Sequence, residues 1–110
     1  MTPSPLARKT CVPCKGDVPP MPPREIAEYL KHVPAWQAVN DHHLVRELRF
    51  PDFLQALAAT NRIGQLAEEQ GHHPDLHLSW GKLRVETWTH KIDGLTESDF
   101  ILAAKIDEIV

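Results

Sequence analysis

Gln70-Gly71-His72-His73-Pro74-Asp75-Leu76-His77-Leu78-Ser79-Trp80-Gly81-Lys82-Leu83-Arg84-Val85-Glu86-Thr87 begins at the end of one hydrophobic period and continues in another, and this change decides the fold. Upstream, Phe53, Leu54, Leu57, Ala58, Ile63 and Leu66 form an apolar stripe with helical spacing, in a helix with Pro51 in its first turn that runs to about Glu69. Gly71 suits a helix C-terminus and Pro74 forbids continuation, so His72 and His73 fall in the junction. Downstream the period is two. Leu76, Leu78 and Trp80 alternate in a strand, Gly81 marks a turn, and Lys82 to His90 sets Leu83, Val85, Thr87 and Thr89 against Arg84, Glu86, Trp88 and His90.

Working outward, Ile26, Tyr29, Leu30 and Val33 predict a short helix from Arg24 to His32, stopped by Pro34. Trp36 to Phe50 reads as two strands joined near Asn40-Asp41-His42, with Leu44, Leu48 and Phe50 on one face. Arg46 shares their parity and needs a polar outlet. After Gly94, Thr96 reads as the N-cap of a last helix, with Asp99 three positions on and Phe100, Ala103, Ala104 and Ile106 or Asp107 carrying it to the end. The order α-β-β-α-β-β-α predicts an α+β two-layer sandwich: a four-stranded antiparallel sheet with three helices on one face.

A chain of 110 residues with 42% hydrophobic content supports one core, so residues 24–110 are read as a single domain. The 12 basic residues are dispersed among 15 acidic ones, and without a basic stripe direct nucleic-acid binding is disfavoured. No apolar run follows Arg8 and Lys9, so neither a secretory signal nor a membrane span is expected, and a cytoplasmic location follows by default. Seven of the ten prolines precede residue 24, which makes residues 1–23 a flexible, extended arm. Its Cys11-Val12-Pro13-Cys14 is at most half a zinc site; the plainer account is a pair of thiols in a leader, with a shared metal half-site or a redox pair as alternatives.

The chemistry-bearing residues cluster around the junction. Histidine titrates near neutrality, so His72 and His73, with Glu68 one turn ahead and His90 and Asp99 downstream, are natural machinery for moving protons. The residue before a proline is steered to extended geometry, so His72 and His73 should point in different directions and take different roles. Glu68 is placed to accept a hydrogen bond from an imidazole, Asp99 to cap its helix and orient a histidine, and Trp80 to wall a pocket. Taken singly, each has a simpler account: a solvated helix face for Glu68, capping for Asp99, a hairpin-end core aromatic for Trp80, half-burial beside Trp88 for His90. His32, His42, His43 and His77 are read as surface or hydrogen-bonded structural residues. A metal site of His72, His73 and His77 with Cys11 and Cys14 is the weakest alternative, because Pro74 breaks the helix that would align His73 and His77.

Glu68, His72-His73-Pro74, Trp80, His90 and Asp99 together resemble the signature of the pterin-4a-carbinolamine dehydratases. The similarity extends to Trp36, the strand ending Arg46 to Phe50, and Thr89-His90 through Gly94-Leu95-Thr96, so it spans roughly residues 24 to 110, while the Cys11-to-Pro20 leader is similar to one in some bacterial members. The resemblance implies loss of water from 4a-hydroxytetrahydropterin to give quinonoid dihydropterin, in recycling the cofactor of aromatic amino-acid hydroxylases. It implies His72, His73 and His90 as the catalytic histidines, His73 and Trp80 as pterin contacts, Glu68 and Asp99 as supports, and no metal or cofactor. It leaves open which histidine is the acid and which the base. It further implies a homodimer or homotetramer and a functional link to a pterin-dependent hydroxylase. The alternative within the same fold is a non-catalytic dimerising scaffold that binds another protein. Leu76 stands where some relatives carry an aromatic residue.

Overall fold

Two β-hairpins and a helix between them build the sheet. In the computed structural model, which describes residues 5–11 and 19–110, α1 spans Pro23–Leu30, β1 Gln37–Val39, β2 His43–Arg49, α2 Phe53–Gln70, β3 Asp75–Ser79, β4 Lys82–Thr87 and α3 Glu97–Ile109, with single 3-10 turns at Pro5–Arg8 and His90–Ile92. The strands are antiparallel in the order β1-β2-β4-β3. The chain crosses from β2 through α2 to β3, and β4 returns beside β2. Leu44 and Leu48 of β2 and Leu83 and Val85 of β4 lie on one sheet face and join Ile26, Ala59, Ile63, Phe100 and Ile106 of the three helices in a common core. The fold is the expected α+β sandwich with its helices on one face.

Arg46 has core-side parity, and α3 supplies its outlet: its guanidinium pairs with Asp107, which also accepts a 2.8 Å hydrogen bond from the indole of Trp36. The β1–β2 turn carries Asn40 and Asp41 at positive φ, a geometry these residue types tolerate better than most.

Four expectations are corrected. Asp52 caps α2 by accepting the Gln55 N–H at 2.8 Å, so Pro51 precedes the helix instead of opening it. The buried face of α2 is Ala56, Ala59, Ile63 and Ala67, in which the expected Ile63 is joined by three alanines that allow a close approach to the core, whereas Phe53 and Leu54 are 43% and 73% exposed. Trp80 is in the hairpin turn, because pairing closes at Ser79 with Lys82, and it too is exposed. Strand β4 stops at Thr87; Thr89 and Gly94 form an isolated bridge that folds His90–Ile92 into a 3-10 turn, so His90 is not a strand residue.

The N-terminal residues also differ from a free arm where they are described. Leu6, Ala7 and Cys11 are buried against α3. Lys105 donates to the Ala7 carbonyl at 2.8 Å, the Cys11 N–H donates to Gln70 Oε1 at 3.1 Å, and the Cys11 thiol donates to the Ser98 carbonyl at 3.5 Å. Burial pushes that thiol up to about 11, so it stays protonated at neutral pH. Apolar burial and these hydrogen bonds hold the segment, but its apolar residues carry no periodicity by which a sequence reading would find them. Cys14 lies outside the described residues, as do the rest of residues 12–18 and residues 1–4 of the expected arm.

Candidate active site

The junction after α2 is built by Gly71. Its φ of +64° is left-handed, which lets the Gly71 and His72 amides turn back onto the carbonyls of Glu68 and Ala67. A side chain here would strain that conformation. Pro74 then delivers the chain into β3, leaving His72 and His73 with different surroundings.

His72 points inward. Its Nε2 lies 2.6 Å from Oδ1 of Asp99, a carboxylate with no solvent exposure in the first turn of α3. Asp99 also accepts from Thr87 Oγ1 at 2.8 Å, Thr89 Oγ1 at 2.8 Å and the Thr96 amide at 3.0 Å. The last bond belongs to the Thr96–Asp99 capping box, so one carboxylate both caps α3 and holds an imidazole. Because Thr96 N–H can only donate and both oxygens are engaged by donors, the His72 Nε2 carries its hydrogen toward Asp99. The neutral imidazole therefore keeps a lone pair on Nδ1, which has no hydrogen-bond partner among the described residues.

His73 points outward and meets Glu68, with Nε2 and Oε2 2.9 Å apart; both side chains are mostly exposed. Glu68 thus serves His73, not His72, since the left-handed turn swings His72 beneath the helix end. His90, on the 3-10 turn, sits edge-on to Trp88 with ring centroids 4.4 Å apart.

These histidines line one open cleft of about 280 Å³, with Gly71, Trp88, Thr89 and Lys91 completing its walls. His72, His73 and His90 are therefore brought together, and Asp99 and Glu68 each stand behind one of them. Trp80 is not on this cleft. It lies at the far end of the β3–β4 hairpin, whose near end is the Asp75–Glu86 pair. The cleft aromatic is Trp88, missed although its parity with His90 was visible. Thr87 and Thr89 were missed too; hydroxyls at core-side positions of a strand signal a buried polar partner. The alternative metal grouping is dispersed: His77 pairs with Glu86 on the open sheet face at 3.0 Å, and Cys11 is buried against α3. Among the described residues no set of three His, Cys, Asp or Glu is disposed to hold a metal ion.

Such a site can take one proton and give another across a flat ligand, with one imidazole fixed in tautomer and another exposed at the rim. Residues 19–109 match the family model for pterin 4 alpha carbinolamine dehydratase. The chain belongs to the pterin-4a-carbinolamine dehydratase family. This is a family of hydro-lyases. A Rubrobacter xylanophilus protein named for this dehydratase is 53% identical over 106 residues, 96% of this chain and 99% of that protein. One from Alkaliphilus metalliredigens, with the same name, is 54% identical over 104 residues, 94% of each chain. A crystal structure from Brucella melitensis, described as a transcriptional coactivator/pterin dehydratase, superposes with a TM-score of 0.76 at 28% identity, over 82% of this chain and 97% of that one. The family match begins at residue 19, so the docked segment 5–11 lies outside it. No helix among the described residues is long and apolar enough to cross a membrane.

Proposed function

We propose that this chain dehydrates 4a-hydroxytetrahydropterin to quinonoid dihydropterin, and so serves cofactor recycling for a pterin-dependent aromatic amino-acid hydroxylase. The observation that carries the reading is the His72–Asp99 pair opening onto a cleft shared with His73 and His90. Forming the C4a=N5 bond requires loss of the N5 proton, and the C4a hydroxyl leaves as water once protonated. His72, with Nδ1 unprotonated, takes the N5 proton. His90 supplies a proton to the departing hydroxyl. The gained and lost protons are restored through solvent, and no electron is exchanged. His73, oriented by Glu68, contacts the ring, and Trp88 offers the flat wall that Trp80 does not.

The scaffold alternative draws on the coactivator description of the Brucella protein. The three histidines gathered on the cleft weigh against it, because a scaffold that had dropped the chemistry would be free to lose them. A homodimer or homotetramer belongs to the same proposal: β1 and β3 are open sheet edges, and Phe53, Leu54 and Trp80 leave apolar surface near the point where Phe50 N–H meets the Gly81 carbonyl.

The test is the decay of 4a-hydroxytetrahydropterin, generated by a hydroxylase, with and without the purified protein. Decay well above the spontaneous rate is expected. A folded wild type that leaves the spontaneous rate unchanged overturns the enzymatic reading.

A further inference from the structure

His42, which no motif assigns to the site, reaches it from another element. The positive-φ turn at Asn40 and Asp41 sends His42 across the end of the sheet, where its Nε2 lies 2.6 Å from Oδ1 of Asp93. Asp93 ends the 3-10 turn that carries His90; its own φ is +53°, and its amide donates to the His90 carbonyl at 3.2 Å. Trp88 packs against three histidine rings, His42 at 5.5 Å, His43 at 5.7 Å and His90 at 4.4 Å, centroid to centroid. Whichever tautomer His43 adopts in its 3.0 Å contact with His42 Nδ1, His42 Nε2–H is the donor to Asp93.

We propose that His42 and Asp93 form a clamp from the β1–β2 hairpin that sets the position of His90 over the cleft, with Trp88 as the surface against which both rings are held. His42 is a positioning residue: it acts through His90 and does not touch the substrate. The Thr89–Gly94 bridge fixes only the base of this turn, and among the described residues the His90 side chain has a ring contact but no hydrogen bond to set its angle, so the clamp is the restraint on its outer end. Neither clamp residue is buried, His42 being 32% and Asp93 86% exposed in their side chains, so their substitution leaves the core intact.

The kinetic consequence rests on the dehydratase reading, and the experiment therefore has two arms. In the first, dehydration is measured for His42→Ala, Asp93→Ala, the double variant and His42→Gln. A loosened acid–base group lowers kcat by about three- to tenfold with KM within about twofold, the double variant is no worse than either single one, and His42→Gln, whose amide can donate to Asp93, recovers most of the rate. Adding His42→Ala to His90→Ala costs nothing further. In the second arm the His90 ring protons are followed by NMR in the absence of substrate: the ring-current shift imposed by Trp88 changes in His42→Ala and Asp93→Ala and returns in His42→Gln. Unchanged His90 shifts in both alanine variants overturn the clamp, as does an equal loss of rate from His42→Ala in the His90→Ala background. If the wild type proves inactive, the first reading fails while the NMR arm still decides the second.

Discussion

Replacing Asp99 by Asn tests the site at its most constrained point. The carboxylate accepts four hydrogen bonds, from His72, Thr87, Thr89 and the Thr96 amide, in a position without solvent. An amide has one acceptor oxygen, and the Thr96 N–H cannot turn away, so the Asn oxygen must take the Thr96 and Thr89 side and its NH2 must face His72 and Thr87. Thr87 can rotate its hydroxyl to accept. His72 can accept only by moving its proton from Nε2 to Nδ1, which removes the lone pair from the cleft. The fold survives: the two retained bonds become neutral instead of charge-assisted, a destabilisation of about 2–3 kcal/mol. Activity does not: with the wrong tautomer, kcat falls by about 10²–10⁴. The assays are urea unfolding, stopped-flow dehydration and the ¹⁵N shifts of the His72 ring, which report the tautomer directly. An Asp99→Asn protein with near-normal kcat and an unprotonated Nδ1 would refute the reasoning.

Three further outcomes follow from the same geometry. Glu68→Ala removes an exposed partner of His73 and is expected to change stability by less than about 0.5 kcal/mol in urea titrations, with any kinetic effect confined to KM. In Gly94→Ala the new Cβ would lie 2.7 Å from the Pro20 Cβ, so the chain behind the His90 turn must shift, and a loss of about 1–3 kcal/mol in denaturant unfolding is expected; an unchanged midpoint would show that Pro20 yields freely. Glu97, which accepts from Lys9 and Tyr29, is held below the usual carboxylate range by these bonds, the Lys9 bond first. Its contribution is therefore present above the ordinary value of 4.5 and lost as pH falls through the lower folded value. The small stability advantage of wild type over Glu97→Gln, tempered by solvent around both partners, should vanish in acid, and an advantage that persists there would contradict the assignment.

What was legible in the chain was whatever one residue type decides locally. Gly71 and Pro74 end a helix wherever it packs, and Thr96 with Asp99 announces a helix start, so element order and the α+β class could be read directly. Asp99 was legible in both its roles because capping and proximity to His72 need the same placement. The face of α2 was legible only in part: Ile63 is core and Leu66 packs against it, as their spacing implies, yet Phe53 and Leu54 stay exposed and Ala56, Ala59 and Ala67 take buried positions. Trp80 was read as the pocket wall, but hairpin closure at Ser79–Lys82 sends it to the end opposite the histidines, and Trp88 lines the cleft instead. Glu68 was legible as the partner of an imidazole but not of which one: the left-handed Gly71 redirects His72 and leaves His73 in reach. Leu6, Ala7 and Cys11 form no pattern at all, and only the surface of α3 makes them core.

The central claim is that His72 and His90 move protons across a bound pterin, and it is tested most directly by measuring 4a-hydroxytetrahydropterin dehydration by the wild type beside His72→Ala and His90→Ala. The account predicts strong acceleration by the wild type and a fall of about a hundredfold or more in each variant, as expected when a general acid or base is removed. Full acceleration in both folded variants would contradict it.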